Sequence, residues 1–426
     1  MGFTSGTWAG APGTGQGAGD NAPWPCGLRR RIVVDIAADA PKRQGDAPGR
    51  PPLQAPRIRV LHFVTGGFSG GATQVALALV RAAAQGGPVD PLLVLRRKRH
   101  GDVSRIRELE REGVPLAVVP GWSHLATIVA LVRLCRRVRP QVLVAHGFSE
   151  HLWGRYAGLL AGVPALVHVE HNTRERYTAW RRAQTRWLAA RSARIVGCAD
   201  DVRQVLLDMG MPADRTIVIP NGITLAPFLP ARSLDWASRE AAIVMVARFS
   251  KQKDQRTLVQ ALALLRQQGL RPPLRLVGDG KTRDAVEALA RELGLDDGQV
   301  QFLGLRRDVP ALMMQHQIFV LSTHYEGMPL VLLEGMAAGC AVVGSDVPGV
   351  HGVIRHGEDG LLVPPADPAA MAQALAGLLR EPQRAAALAA RACQRAHAEF
   401  GRELMNQRYE TLCLELANQT AGAAHA

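Results

Sequence analysis

Ser322-Thr323-His324-Tyr325-Glu326-Gly327-Met328-Pro329-Leu330-Val331-Leu332-Leu333-Glu334-Gly335-Met336-Ala337-Ala338-Gly339-Cys340 is the most informative stretch of the chain. An apolar run, Ile318–Leu321, ends just before it. A loop then carries Glu326 and Gly327, and Pro329 is expected at the first helical position, where its missing N–H would be unpaired anyway. A strand passing through a short loop into a helix is half of a βαβ unit. The free amides of that first turn, from Leu330 onward, form an anion site at the strand's carboxyl end. Glu326 precedes the helix and Glu334 lies about one and a half turns into it, so the two acids flank whatever binds there. Negative groups beside an anion are repulsive unless they read hydroxyls, and the two oxygens of a carboxylate suit a vicinal diol. The alternative is that both acids only decorate a helix start, where negative charge is favoured.

Outward from this stretch, short apolar runs alternate with amphipathic segments. In the second half, strands are expected at Ala242–Ala247, Leu274–Val277, Val300–Leu303, Ile318–Leu321, Ala341–Gly344 and Gly360–Val363. Helices are expected at Gln255–Gln267, Thr282–Leu293, Val309–Met314, Leu330–Ala338 and Pro368–Leu379. The first half has the same rhythm, with strands at Ile58–Thr65, Pro91–Leu95, Leu116–Val119, Gln141–Ala145, Ala165–Glu170 and Arg194–Cys198. Between them fall helices Thr73–Gln85, Val103–Glu112, Thr127–Val138, Leu152–Ala161 and Tyr177–Ala190. This alternation means an α/β protein with two doubly wound, Rossmann-like parallel sheets. Pro220-Asn221-Gly222 is turn chemistry where a linker belongs. Residues 57–219 are therefore read as one domain, 220–398 as a second, and 399–416 as a terminal helix (Arg402–Glu415). In such folds ligands sit at strand carboxyl ends, which places a site in the cleft between the halves. Residues 1–56, about one-third Gly plus Pro, and 417–426 read as disordered tails.

Composition narrows the function. The 426 residues are 47% hydrophobic and 21% charged, so a sizeable core is available. No uncharged apolar run reaches ~18 residues, which argues against a spanning helix. At 5% aromatics, stacking on single-stranded nucleic acid is not supported. The six cysteines (Cys26, Cys135, Cys198, Cys340, Cys393, Cys413) are scattered without a CxxC pair. With no signal-peptide pattern, buried thiols are expected in a cytoplasmic protein, one placed peripherally at the inner face of a membrane. Net charge is +14, and the excess is local: residues 57–219 carry 24 Lys and Arg against 12 Asp and Glu. Arg174 to Arg194 alone hold seven Arg against one Glu. That favours an anionic partner for this half, such as phosphate, an acidic glycan or an anionic membrane surface.

Three further constellations bear on chemistry. Ala247-Arg248-Phe249-Ser250-Lys251-Gln252-Lys253-Asp254 follows a strand, where cations are placed to neutralise phosphate, unless the loop is merely basic and solvated. Gly66-Gly67-Phe68-Ser69-Gly70-Gly71 follows the first strand but lacks the G-x-G-x-x-G spacing. Arg96 to Arg99 close the next strand where a ribose would need an acid, so a nicotinamide cofactor is not expected. His168-Val169-Glu170-His171-Asn172-Thr173 invites a metal reading. In a strand, however, His168 and Glu170 face one way and His171 the other, so those three do not converge. A cleft-facing His171, with His146 at the end of the preceding strand, is the better reading, beside a purely structural one. No Asp-x-Asp occurs to hold a divalent cation on a diphosphate.

Taken together, these motifs resemble retaining glycosyltransferases of family 4, which have the GT-B fold of two Rossmann-like domains facing across a cleft. The resemblance rests on Gly70-Gly71, His171-Asn172, Pro220-Asn221-Gly222-Ile223, Arg248 with Lys253, and Val277-Gly278-Asp279-Gly280. Phe302-Leu303-Gly304 and the Glu326/Glu334 pair complete it, over about residues 57–416. It implies sugar transfer from a nucleoside diphosphate to a glycan or lipid-linked acceptor in cell-surface polysaccharide, lipopolysaccharide or glycolipid synthesis, without metal or cofactor. By that resemblance Arg248 and Lys253 grip the diphosphate, Glu326 holds the donor sugar and Glu334 the ribose. Gly327, Met328, Pro329, Leu330 and Val331 supply the phosphate cradle, and Gly70 and Gly71 allow close approach from the first domain. His171 reaches across the cleft, Gly278 lies by the donor, and Gly304 and Leu305 face the base. The terminal helix would cross back to the first domain. Thr224 and Ala199 depart from the Asp and Ser usual at those positions. Two rivals stay open: an epimerase acting on sugar nucleotides with no acceptor, and a non-catalytic binder of anionic polymer.

Overall fold

The computed structural model describes residues 57–423 apart from 69, 98–102, 148 and 174–176. The sequence-read tail at 1–56, residues 98 and 99, and 174 and 176 of the Arg-rich stretch lie outside the described residues. In the first half the chain runs β1 (Ile58–Thr65), α1 (Gly71–Ala84), β2 (Val89–Arg96), α2 (Val103–Arg111), β3 (Leu116–Val119) and α3 (His124–Val138). It continues with β4 (Val142–His146), α4 (Glu150–Ala161), β5 (Ala165–Glu170), α5 (Ala179–Ala189), β6 (Arg194–Gly197), α6 (Asp200–Asp208) and β7 (Thr216–Val218). All seven strands pair in parallel in the order β3-β2-β1-β4-β5-β6-β7. The strands on either side of the order reversal are buried on both faces, as Val60, Leu61, Phe63 and Val64 of β1 and Val142 to Ala145 of β4 show. Capping sets two helix starts: Ser123 accepts from the Ala126 amide ahead of α3, and Thr178 from the Arg181 amide ahead of α5.

The second half comprises β8 (Glu240–Val246), α7 (Gln255–Gln267), β9 (Leu274–Val277), α8 (Arg283–Glu292), β10 (Val300–Gly304), α9 (Val309–Gln315) and β11 (His316–Leu321). Then follow α10 (Leu330–Ala337), β12 (Ala341–Ser345), β13 (Leu361–Val363), α11 (Pro368–Arg380), α12 (Pro382–Glu399) and α13 (Arg402–Ala423). The parallel order is β10-β9-β8-β11-β12-β13. Each sheet reverses its strand order once, between β1 and β4 and between β8 and β11. The loops after those four strands open on the crevice where ligands bind in such folds.

One apolar cluster joins the halves: Ile195, Val202 and Leu206 pack in it with Met328, Leu332, Val350 and Phe400. The chain crosses between the halves twice, and the crossings touch, because Ile223 N–H donates to Phe400 O (2.9 Å) and Arg402 N–H to Ile223 O (2.8 Å). Gly222 is required there, since a Cβ would lie 2.7 Å from Gly401 O. Helix α13 returns to the first sheet, burying Met405, Tyr409, Leu412, Cys413 and Leu416 against Val60, Val144 and Val167.

Several sequence expectations change. Residues 417–423, read as disordered tail, continue α13, because Leu416 and Ala417 remain buried on the first domain. Only 424–426 of that tail lie outside the described residues. Helices α6 and α12 and strand β7 were not expected at all. Pro329 is the N-cap, extended at φ −72°, ψ 113°, rather than the first helical residue. Its carbonyl accepts the Leu332 amide at 3.1 Å, so Leu330 and Val331 are the leading amides of α10. No helix among the described residues is long and apolar enough to cross a membrane.

Candidate functional site

The loops after β8 and β11 are stitched into one surface. Lys253 bridges Thr323, Asp254 N–H donates to Ser322 O (3.0 Å), and His324 N–H donates to Gln252 O (2.9 Å). Gln252 Nε2 donates to Tyr325 O at 2.8 Å. This brings Lys253 onto Glu326: the ammonium pairs with Oε1, and the two side chains are only 15% and 9% exposed. Thr323 Oγ1 donates to the same carboxylate oxygen at 2.9 Å. A nearly dry ion pair of this kind persists only with such extra hydrogen bonds, and each partner holds the other in place for a ligand. Asp254 caps α7 through the Thr257 amide and hydroxyl, which fixes the loop's far end.

Arg248 lies on the same loop, exposed, at the carboxyl end of β8. Gln255 Nε2 donates to its carbonyl at 3.1 Å. Glu334 sits in the second turn of α10. Burial pushes its carboxyl up to about 7, opposed by the positive charge of Arg402, the first residue of α13. The structure thus joins Lys253 and Glu326 directly, while the charged neighbour of Glu334 comes from the terminal helix. Gly278 (φ +132°) is explained by the protein's own packing, because a Cβ would stand 2.1 Å from Ala247 O. Gly304 (φ +65°) ends β10, and Leu305 beside it is 82% exposed. Gly70 is the N-cap of α1 and Gly71 its first residue, with nothing within 4 Å of a Cβ at Gly71. That opening faces no protein atom, unlike the tight fit at Gly278.

The first domain meets this surface through the segment after β5. Asn172 bridges Gly327 in antiparallel fashion, and Thr173 Oγ1 donates to Glu326 O at 2.6 Å. Gly327 is obligatory, since a Cβ would lie 1.9 Å from His171 O. Asn221 Nδ2 donates to Met328 O at 3.2 Å. Asp201, on α6, accepts from the Gly349 (2.8 Å) and Gly352 (3.1 Å) amides of the second domain. His171 therefore lies against the loop of Glu326 and Gly327, and its Nε2 meets His146 Nδ1 at 3.2 Å. His146 is wholly buried rather than lining the cleft.

The metal reading resolves differently from the sequence trio. His168 and Glu170 approach His151, not His171. The His151 and His168 rings stack with centroids 4.0 Å apart at 24°. Lone pairs lying in two nearly parallel ring planes do not converge on one ion. The Arg155 guanidinium, 2.6 Å from His151 Nδ1, adds like charge. Glu170 instead accepts from the Tyr177 hydroxyl (3.0 Å) and the His171 amide (2.9 Å). Burial pushes its carboxyl up to about 7, with those donors pulling the other way. The residues that sequence reading missed (His62, His151, Arg155, Asp201 and Arg402) are single polar residues whose partners come from other elements, so no local spacing announced them.

Residues 69–226 match the family described as Glycosyltransferase Family 4, and residues 240–381 that of Glycosyl transferases group 1. The Bacillus subtilis protein EpsF, assigned as a glycosyltransferase, is 31% identical over 318 residues, 69% of this chain and 80% of its own. The chain belongs to glycosyltransferase family 4. The lipopolysaccharide core biosynthesis glycosyltransferase LpsE of Rhizobium meliloti is 27% identical, over 83% of this chain and 98% of its own. The GT-B architecture is shared with HepE of Anabaena, whose crystal structure in complex with UDP-glucose aligns with a TM-score of 0.72. That alignment is 23% identical and covers 84% of this chain and 99% of HepE.

Proposed function

We propose that this glycosyltransferase moves a sugar from a nucleoside diphosphate to an acceptor hydroxyl with retained anomeric configuration, on a glycan or lipid-linked acceptor of cell-surface polysaccharide synthesis. The observation that carries this reading is the Lys253–Glu326 pair at the mouth of α10, one cation and one acid held together where two leading amides emerge. Lys253, with Arg248 beside it, neutralises the departing diphosphate. The leading amides of Leu330 and Val331, with the Gly327–Pro329 backbone, cradle its oxygens. Glu326 accepts from hydroxyls of the donor sugar, and Glu334 from those of the ribose. Gly70 and Gly71 admit the donor from the first domain, Gly304 and Leu305 border the base, and His171 reaches the sugar. These cations and the helix dipole supply the charge that a divalent ion supplies elsewhere, which makes the transfer metal-independent and free of cofactors. The names of HepE's ligand and of LpsE's pathway support a nucleotide-sugar donor and a lipid-borne glycan acceptor.

The first domain also carries a face suited to an anionic membrane. Trp122 (81% exposed), just before α3, and Leu125 (69%) lead a stripe that continues along α3 through Val129 to Arg133 and Arg136. Trp180 (72%) and Trp187 form the matching stripe on α5, with Arg191 over the Trp187 ring. Stacks of His124 on Trp153 and of Tyr156 on Trp187 connect the two across α4. The enzyme would then work at the inner, cytoplasmic face of a membrane.

Lys253→Ala tests the donor site. Loss of one donor aimed at developing charge costs on the order of 10²–10³ in rate. Turnover of UDP-, GDP- and ADP-sugars is measured with an acceptor mixture and without it. Wild-type turnover by the variant refutes the assignment, and sugar isomerisation without acceptor would favour an epimerase.

A further inference from the structure

The second domain holds a cavity of about 550 Å³, within the size range of small-molecule sites, away from the donor loops. Part of its lining comes from two short turns, Ala226–Arg232 and Trp236–Ser238, just past the first crossing between the halves. Helix α12 contributes Ala386, Ala389 and Ala390. Gly339, two residues before β12, and Arg239, one residue before β8, also line it. These positions are the amino ends of the strands and the C-terminal end of α10. The leading amides of Leu330 and Val331 open at the other end of that helix, so the cavity and the donor site are separate places.

Arg239 is only 8% exposed. Its Nη1 donates to Ala338 O (2.7 Å) and Gly339 O (2.8 Å), a cation set against the negative pole of α10. That structural role uses Nη1 alone. Nε is buried without a partner, and Nη2 lies 2.9 Å from the place of a Cβ on Gly339, which itself lines the cavity. Trp236 Nε1, in another lining residue, is a second buried donor without a partner. Arg232 is exposed and stands at the mouth. Burial lowers the basicity of His397, a further lining residue, and the charge of Arg232 adds to that effect, so this cation is felt inside the cavity. None of the lining residues is acidic. Two guanidinium groups without an opposing carboxylate attract an oxyanion, and their planar forks suit a phosphate or carboxylate. The alanines of α12 and Leu234 offer apolar surface with no side-chain hydrogen-bonding group.

We propose that this cavity binds a small organic oxyanion, a phosphate or carboxylate on a compact apolar body. The charged head lies by Arg239 and Arg232, and the body lies against Ala386, Ala389 and Ala390. The site is independent of the donor assignment, because no residue of the sugar-transfer machinery lines it.

Calorimetric titration of the full chain at low salt tests this with four probes: phenyl phosphate, benzoate, inorganic phosphate and benzyl alcohol. At least one of the two organic anions should bind about tenfold or more tightly than both the bare phosphate and the neutral alcohol. Which of them binds tells phosphate from carboxylate. Two substitutions at exposed positions locate the site without threatening the fold. Arg232→Met removes the cation at the mouth and should weaken binding about tenfold, as loss of one charge-assisted partner does. Ala390→Phe fills the cavity and should weaken it at least as much. Lys253→Ala, at the far end of α10, should leave it unchanged. The proposal is overturned if neither organic anion binds saturably, or if the alcohol or inorganic phosphate binds equally well. Wild-type affinity in both Arg232→Met and Ala390→Phe overturns it too. Loss of binding in Lys253→Ala would put the anion in the donor cradle instead, whereas failure of the turnover test on that variant leaves this site untouched.

Discussion

Glu334 is a site residue whose ionisation responds to pH near neutrality. Its folded pKa, about 7, lies above the ordinary carboxylate value because burial disfavours the charge. Between pH ~4.5 and ~7 the native state therefore binds more protons than the unfolded chain, and stability falls as pH rises through that window. Glu170, also raised to about 7, contributes in the same direction. If Glu334 accepts from ribose hydroxyls, the ligand selects the ionised form, so nucleotide affinity should rise from pH 6 to pH 8. In Glu334→Gln that rise should disappear while the fold is kept, and calorimetric titration of the nucleotide at both pH values measures it. A variant as pH-dependent as the wild type would detach Glu334 from the donor. The position of this acid could be read from the sequence, because strand, loop and helix are local features. Its partner could not: Arg402 is 68 residues downstream and arrives only because α13 crosses back.

At the scale of elements, the halves are joined by one apolar cluster and by hydrogen bonds that cross beside it. Asp201 adds a charged contact, taking two second-domain amides on one carboxylate oxygen, while Asn172 bridges Gly327 and Thr173 Oγ1 donates to Glu326 O. Charge-assisted bonds of this type contribute about 1.5–3 kcal/mol when buried, and Asp201 is half-buried, so Asp201→Ala should cost about 1–2 kcal/mol in denaturant unfolding. Loosening that side of the cleft should raise the donor KM roughly tenfold, the equivalent of about 1.4 kcal/mol. Wild-type values for both would show that the contact does not hold the cleft. Strands and most helices were legible because apolar runs of four to eight residues and 3.6-residue periodicity are local signals. Helix α12 escaped because its buried face is mostly small, Ala385, Ala389, Ala392 and Ala396 standing with a single large apolar residue, Leu388. Helix α6 escaped because Ala199 sits at its N-cap, where no side chain announces the start. The expected disorder at 417–423 failed for a tertiary reason: small residues there continue a helix already anchored on the first sheet. The contact of His62 with His146 was invisible for a similar reason, because it exists only once β1 pairs with β4 and sets His62 opposite Val144, two residues before His146.

Over the whole molecule, the excess positive charge and the exposed tryptophans fall in the same half. Trp122, Leu125, Trp180 and Trp187 are exposed on the half that also exposes Arg133, Arg182 and Arg191, with Arg191 over the Trp187 ring. The proposed bilayer interface would use both, since tryptophan rings settle at headgroup depth and each arginine near anionic lipid contributes about 1 kcal/mol. Docking through this face would bring the first domain, and with it the cleft, to a lipid-borne acceptor, while nucleotide donors reach the second domain from water. In vesicle sedimentation at low salt the protein should bind anionic phosphatidylglycerol and not phosphatidylcholine, with binding weakening as ionic strength rises. Arg182→Glu with Arg191→Glu reverses two charges, which at that scale removes at least ~2 kcal/mol, or roughly 30-fold in partitioning. Trp122→Ser with Leu125→Ser should remove the apolar share while leaving turnover of a water-soluble acceptor analogue unchanged, since neither residue touches the donor site. Equal binding to both lipids, or a charge-reversed variant that still sediments with anionic vesicles, would mean the face meets something other than a membrane.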